Sequence, residues 1–186
     1  MAKVAASSAV AFLLAGRALR VAVRKQPGNS QFGPWRTDMD LSSQNAGLYE
    51  KARAARQVPF ALPVSEAIYF VAYTDSAGKK LRRGCTYCID GRDLDTRWWS
   101  IAAYNNNRLI PNLQHRYSYS KTTVRRRDDD SWTIRFSPRE QCENWLPGAT
   151  DKGKLKLVLR CYGPSPELVR NPGAAPLPRV VAGLRP

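Results

Sequence analysis

The stretch Arg97-Trp98-Trp99-Ser100-Ile101-Ala102-Ala103-Tyr104-Asn105 decides the fold. It is dense in aromatic and β-branched residues and contains neither Gly nor Pro, which suits a pleated, half-buried strand. Successive side chains of a strand point to opposite faces, so the two indoles are divided between them. One fills a core and the other covers an edge or contacts a partner. Trp99 is assigned to the contact.

Similar stretches lie on either side. Upstream are Glu66–Thr74 and Arg83–Ile89, separated by the turn Asp75-Ser76-Ala77-Gly78, with a second turn at Asp90-Gly91. Downstream, Asn105-Asn106-Asn107 forms a loop, and Tyr117, Tyr119 and Lys121 alternate with Ser118 and Ser120. Trp132–Ser137 and Leu155–Tyr162 complete the set. Turn signals recur roughly every 8–12 residues, the habit of a sandwich or barrel. Strands do not alternate with helices, which excludes a parallel α/β fold. The expected fold is mainly all-β, a single antiparallel jelly-roll-like β-sandwich over residues 63–163. Residues 27–62 read as an extended linker, pinned by Phe32 and Trp35, followed by a helix over 45–57 with Leu48, Ala52 and Ala55 on its apolar face. Residues 164–186, rich in Pro and Gly, are expected to wrap the surface without regular structure.

The chain has 186 residues, enough for one domain with a core of its own. Its 43% hydrophobic and 24% charged residues exclude wholesale disorder. Charge is the outlier: 30 Lys and Arg against 15 Asp and Glu give +15 and a pI near 10.2. The first 36 residues hold Lys3, Arg17, Arg20, Arg24, Lys25 and Arg36 and no acid. Residues 4–16 are apolar but too short for a membrane span. With the arginines at spacings of three and four behind them, residues 1–26 read as a transit-like or membrane-proximal helix. Positive charge following the apolar stretch favours a matrix or cytoplasmic position for what comes next. Arg125-Arg126-Arg127 runs into Asp128-Asp129-Asp130 and reads as a self-neutralising turn. Lys152, Lys154 and Lys156 alternate and share one face of an extended segment.

The residues that carry chemistry form no catalytic constellation. Cys85-Thr86-Tyr87-Cys88 is one tight pair, but Cys142 and Cys161 are too far apart to make a second, so a structural zinc site is not expected. No helix N-terminus follows the pair to make it a redox motif. His115 is the chain's single histidine and has no nucleophile elbow beside it. Asp90, Asp93 and Asp95, with Arg92 and Arg97 among them, read as a salt-bridged loop rather than a cation site. The glycines form no phosphate loop. No cofactor, metal or catalytic residue is therefore expected.

Several separated motifs occur together: Glu66-Ala67-Ile68-Tyr69-Phe70, Cys85-Thr86-Tyr87 with Asp90-Gly91, and Arg97-Trp98-Trp99-Ser100 with Tyr104. They continue with Asp130-Ser131, Asn144-Trp145-Leu146-Pro147, Leu159-Arg160-Cys161-Tyr162 with Pro164, and Leu177-Pro178. Over about residues 35–183 the chain resembles a bacterial family, domain of unknown function 1214. That resemblance implies a jelly-roll-type antiparallel sandwich, fused to a second domain in some members and standing alone behind a membrane segment in others, with no settled activity. Here it implies a single-domain member. Asp128-Asp129-Asp130-Ser131 lacks the family's Asp-Gly turn, and the positive charge is unusual. Arg160, in a strand, is expected to pair with Glu140 or Glu143.

Together these features point to a non-enzymatic accessory subunit docked on a larger inner-membrane assembly, a mitochondrial respiratory-chain or ATP-synthase-like complex. Protein subunits and an anionic membrane surface are the expected partners. Arg17, Arg20, Arg24, Lys25, Trp99, Lys152, Lys154 and Lys156 are the candidate contacts. A mitochondrial ribosomal or other RNA-associated protein and a bacterial envelope sandwich for carbohydrate or lipid are the alternatives; nucleic acid is the less favoured partner.

Overall fold

A computed structural model describes residues 29–38 and 62–183. The expected helix over 45–57 and the segment 1–26, with Arg17, Arg20, Arg24 and Lys25, lie outside the described residues. Among the described residues no helix is long and apolar enough to cross a membrane.

The Trp-Trp stretch forms β5 (Thr96–Asn105), which pairs antiparallel along its length with β10 (Leu155–Pro164). The pair is the spine of the larger sheet. On one side β10 pairs with β3 (Ala67–Ala72), which pairs with β2 (Trp35–Asp38), and that with β1 (Asn29–Phe32). On the other side β5 pairs with β6 (Arg108–Leu109) and β7 (Ser118–Ser120). A second sheet has the order β11 (Arg179–Ala182), β4 (Tyr87–Gly91), β8 (Trp132–Ser137), β9 (Trp145–Pro147). The molecule is a mainly β sandwich of antiparallel sheets, with one exception: β8 and β9 run parallel.

Alternation places the core. Ile68 and Phe70 of β3, Trp99 and Ile101 of β5, and Leu157 and Leu159 of β10 point inward from the larger sheet. Ile89, Trp132, Ile134 and Phe136 meet them from the smaller one. The indoles of Trp99 and Trp132 touch across the two layers, centroids 4.8 Å apart. Each fully buried large side chain contributes roughly 1.5–3 kcal/mol of apolar transfer, so this double row is the principal source of stability.

Several expectations change at the edges. Residues 29–38, inside the stretch expected to be a linker, form β1 and β2, a hairpin on the larger sheet, and the Trp35 Nε1–H donates to the Pro178 carbonyl at 2.6 Å. Phe32 packs on Gly173, where a Cβ would come within 2.5 Å of the ring. Asp90-Gly91 is not a turn. Gly91 continues β4 because the Trp132 ring lies where its side chain would be. The C-terminal stretch carries regular structure: a helical turn, α1 (Pro166–Arg170), capped by the Ser165 hydroxyl, and then β11. The Asn loop is a two-residue turn, with Asn106 and Asn107 at φ of 48° and 65°, values that asparagine tolerates.

Asn144 closes the parallel edge. Its buried side chain accepts from the Arg125 N–H at 2.8 Å and donates to the carbonyls of Arg125 and Thr133 at 2.8 and 3.0 Å. Its own φ is 46°, left-handed. Asn144→Ala would remove the partner of the part-buried Arg125 N–H and carbonyl and of the buried Thr133 carbonyl, and keep the strained conformation. We expect it to lower the unfolding free energy by about 3 kcal/mol in urea titration. Leu113→Ala, at a side chain 92% exposed, should change it by less than about 0.5 kcal/mol.

Candidate functional site: two charged ends of the sandwich

The strands fix two ends, roughly 30 Å apart along β5. At the Asn105 end three loops are tied to one another. Arg83 Nη1 donates to the Thr150 carbonyl at 3.2 Å, and the Gly84 N–H to the Ala149 carbonyl at 3.4 Å. Lys154 and Asn106 exchange two bonds: Lys154 N–H to Asn106 Oδ1 at 3.0 Å and Asn106 N–H to the Lys154 carbonyl at 3.1 Å. These ties gather Lys79, Lys80, Arg82, Arg83, Arg108, Lys152 and Lys154 on one rim, all exposed. None is in an ion pair with another described residue. The rim's acids are Asp75 and Asp151. Asp75 is buried and engaged by its own turn, its Oδ1 accepting from Ala77 and Lys79 N–H.

Lys152 and Lys154 thus join a basic surface, but Lys156 does not. It lies in β10 at 6% exposure, its Nζ 5.5 Å from the centre of the Tyr104 ring. Burial pushes its ammonium below the ordinary lysine range, and Arg160 adds to the shift. Trp99 is also withdrawn as a contact: it is fully buried, and the alternation of β5 leaves Trp98 outside instead. Arg160 takes neither glutamate. It hydrogen-bonds the Tyr104 hydroxyl, while Glu143 pairs with Arg125 at 3.3 Å.

At the Thr96 end an open cleft of about 530 Å³ is lined by Asp93, Arg97, Trp98, Lys121, Arg126 and Asp130, with Thr122 beside them. Asp93 organises it. It accepts the Trp99 Nε1–H at 2.9 Å and Arg126 Nη1 at 3.0 Å, and its other oxygen lies 4.0 Å from Lys121 Nζ. Lys121 Nζ also donates to the Thr96 carbonyl at 3.1 Å, and Arg126 Nη2 to the Lys121 carbonyl at 2.7 Å. The loop expected to be salt-bridged within itself is therefore bridged across: Arg92 reaches Asp129 at 2.7 Å, and Asp93 reaches Lys121 and Arg126. The Asp129 carboxyl sits below the usual range because Ser131 donates to it twice. The triple-Arg, triple-Asp block is not self-neutralising, since Arg125, Arg126 and Asp129 each find partners elsewhere. Sequence reading missed the cleft because its cations come from segments far apart in the chain. The adjacent Trp pair was the available signal that one indole had to be outside.

The remaining candidates are His115 and the cysteines. His115 is exposed in a turn at φ 51°. The four cysteines are free thiols, and burial pushes that of Cys161 up to about 12.

Comparison with known proteins adds the lineage. A family model described as protein of unknown function (DUF1214) matches residues 66–166. Among solved structures, a protein of Vibrio parahaemolyticus is similar at 23% identity and TM-score 0.61, over 75% of this chain and 36% of that one. An uncharacterized protein of Burkholderia cenocepacia aligns at 18% identity and TM-score 0.49, over 70% of this chain and 33% of that one. The chain thus spans about a third of the length of these relatives. No curated protein matches it.

The burial of Lys156 has a measurable sign. Its lowered folded value means that the unfolded chain binds more protons between that value and the ordinary 10.5, so stability rises with pH across the window. Lys156→Met should raise the unfolding free energy at pH 7 by about 1 kcal/mol. Its advantage over the parent should shrink as the pH is raised toward 10.5, measured by urea unfolding of both proteins.

Proposed function

The chain belongs to the DUF1214 family, and we propose that it is a non-enzymatic docking domain, an accessory subunit that seats its basic rim on an acidic face of a larger assembly. The observation that carries the reading is the seven-cation rim: three loops cross-linked by hydrogen bonds, holding exposed Lys and Arg with little internal compensation. Such a surface attracts negative partners over distances of a Debye length and fixes their orientation. The acid-free, basic composition of residues 1–36 favours a membrane-associated assembly, of the class of the mitochondrial respiratory-chain or ATP-synthase complexes. Protein rather than nucleic acid is the favoured partner. Among the described residues Tyr73 is the exposed aromatic side chain at the rim, a single ring where stacking along a nucleic-acid strand uses several.

Gentle detergent extraction of native membranes, size separation and mass spectrometry test this. The parent chain should travel with a multisubunit protein complex, unaffected by nuclease. A variant carrying Arg82→Glu, Lys79→Glu, Lys152→Glu and Lys154→Glu should be lost from that complex, with its thermal unfolding unchanged. Migration of the parent alone near its 20.8 kDa mass, nuclease release, or full retention of the variant would overturn the reading.

A further inference from the structure

The cleft lies at the other end of β5 from the rim and serves no part of the docking reading. Its walls differ in how their charges are engaged. Lys121 and Arg126 are held to Asp93 and to backbone carbonyls, so they supply fixed positive charge without being free to fork around a ligand. Arg97 has no ion pair or hydrogen bond with another described residue, and it is exposed. Gly163, at φ 56°, leaves room for the Arg97 stem, and a Cβ there would stand 3.0 Å from Arg97 Cβ and 3.4 Å from its Nε. Trp98, which also lines the cleft, is half-buried and leans on Tyr162, ring centroids 5.5 Å apart. Asp130 closes the cleft with a carboxylate in no ion pair with a described residue.

We infer that this cleft binds a small organic monoanion, a carboxylate on a flat or apolar body. Arg97 takes the carboxylate through its planar fork, the pairing that guanidinium geometry favours. Lys121 and Arg126 make the local field positive. Trp98 takes the apolar body, as the walls of ligand pockets commonly do. Asp130 sets the charge limit, because a second negative group would face its carboxylate. That disfavours phosphate esters and dicarboxylates.

The test uses the full chain and phenylacetate as the probe. Indole fluorescence and calorimetry should show saturable binding at one site, with a dissociation constant on the order of 1 mM for so small a ligand. Neutral phenylacetamide and dianionic phenyl phosphate should each bind about tenfold more weakly. Arg97→Gln, at an exposed position, should weaken phenylacetate about tenfold while leaving thermal unfolding unchanged. Asp130→Asn should tighten phenyl phosphate selectively. The rim variant should bind phenylacetate as the parent does, which separates this inference from the docking one. The inference is overturned if phenylacetate shows no saturable binding, if phenylacetamide binds equally well, or if Arg97→Gln leaves the affinity unchanged.

Discussion

The register of β5 is the constraint on which the rest depends. Two adjacent tryptophans cannot share a face of a strand, and shifting the register by one residue would exchange them. In the observed pairing Ser100 lies opposite Arg160 and Trp99 opposite Cys161, which puts Trp99 inside against Trp132 and Trp98 outside beside Tyr162. The same choice sends Ile101, Leu157 and Leu159 into the core and Tyr104, Lys156 and Arg160 to the outer face. It also aims the Trp99 Nε1–H at Asp93, so the residue that orders the cleft is itself tied to the core.

Charge is distributed accordingly. Six of the thirteen described acids have side-chain partners among the described residues. Asp93, Asp129, Glu143 and Glu167 sit in ion pairs, Asp75 in its turn, and Asp90 accepts from the Thr133 hydroxyl. Exposed pairs of this kind add little stability. Their consequence lies in what they leave over: lysines and arginines at the Asn105 end without acidic partners, and Arg97 at the Thr96 end.

Much of the fold was legible in the sequence. Trp132–Ser137 is a strand at the expected limits, and Glu66–Thr74, Arg97–Asn105 and Leu155–Tyr162 differ from β3, β5 and β10 by a residue or two at their ends. These segments alternate cleanly, or are apolar throughout because both faces are covered. Elements that failed to announce themselves are short and owe their form to tertiary contacts. β1 and β2 sit in a Gly- and Pro-bearing stretch and depend on Trp35 and Phe32 reaching the C-terminal segment. β9 has three residues and is held by Trp145, which donates to the Ser137 carbonyl. β11 lies among prolines and exists because β4 offers it an edge. For the sites, Lys152 and Lys154 were readable as exposed cations. Which Trp was outside was not, since alternation separates the two without saying which is which; only packing against Trp132 decides it.

Hydrogen exchange at the five tryptophan indole N–H groups of the full chain, followed by NMR, tests this account most directly. Trp99, bonded to Asp93 inside the sandwich, should exchange orders of magnitude more slowly than Trp98. Its protection should match that of Trp35, whose indole is bonded to Pro178. Rapid exchange at Trp99 with protection at Trp98 would contradict the register of β5, and with it the core, the cleft and the placement of both charged ends.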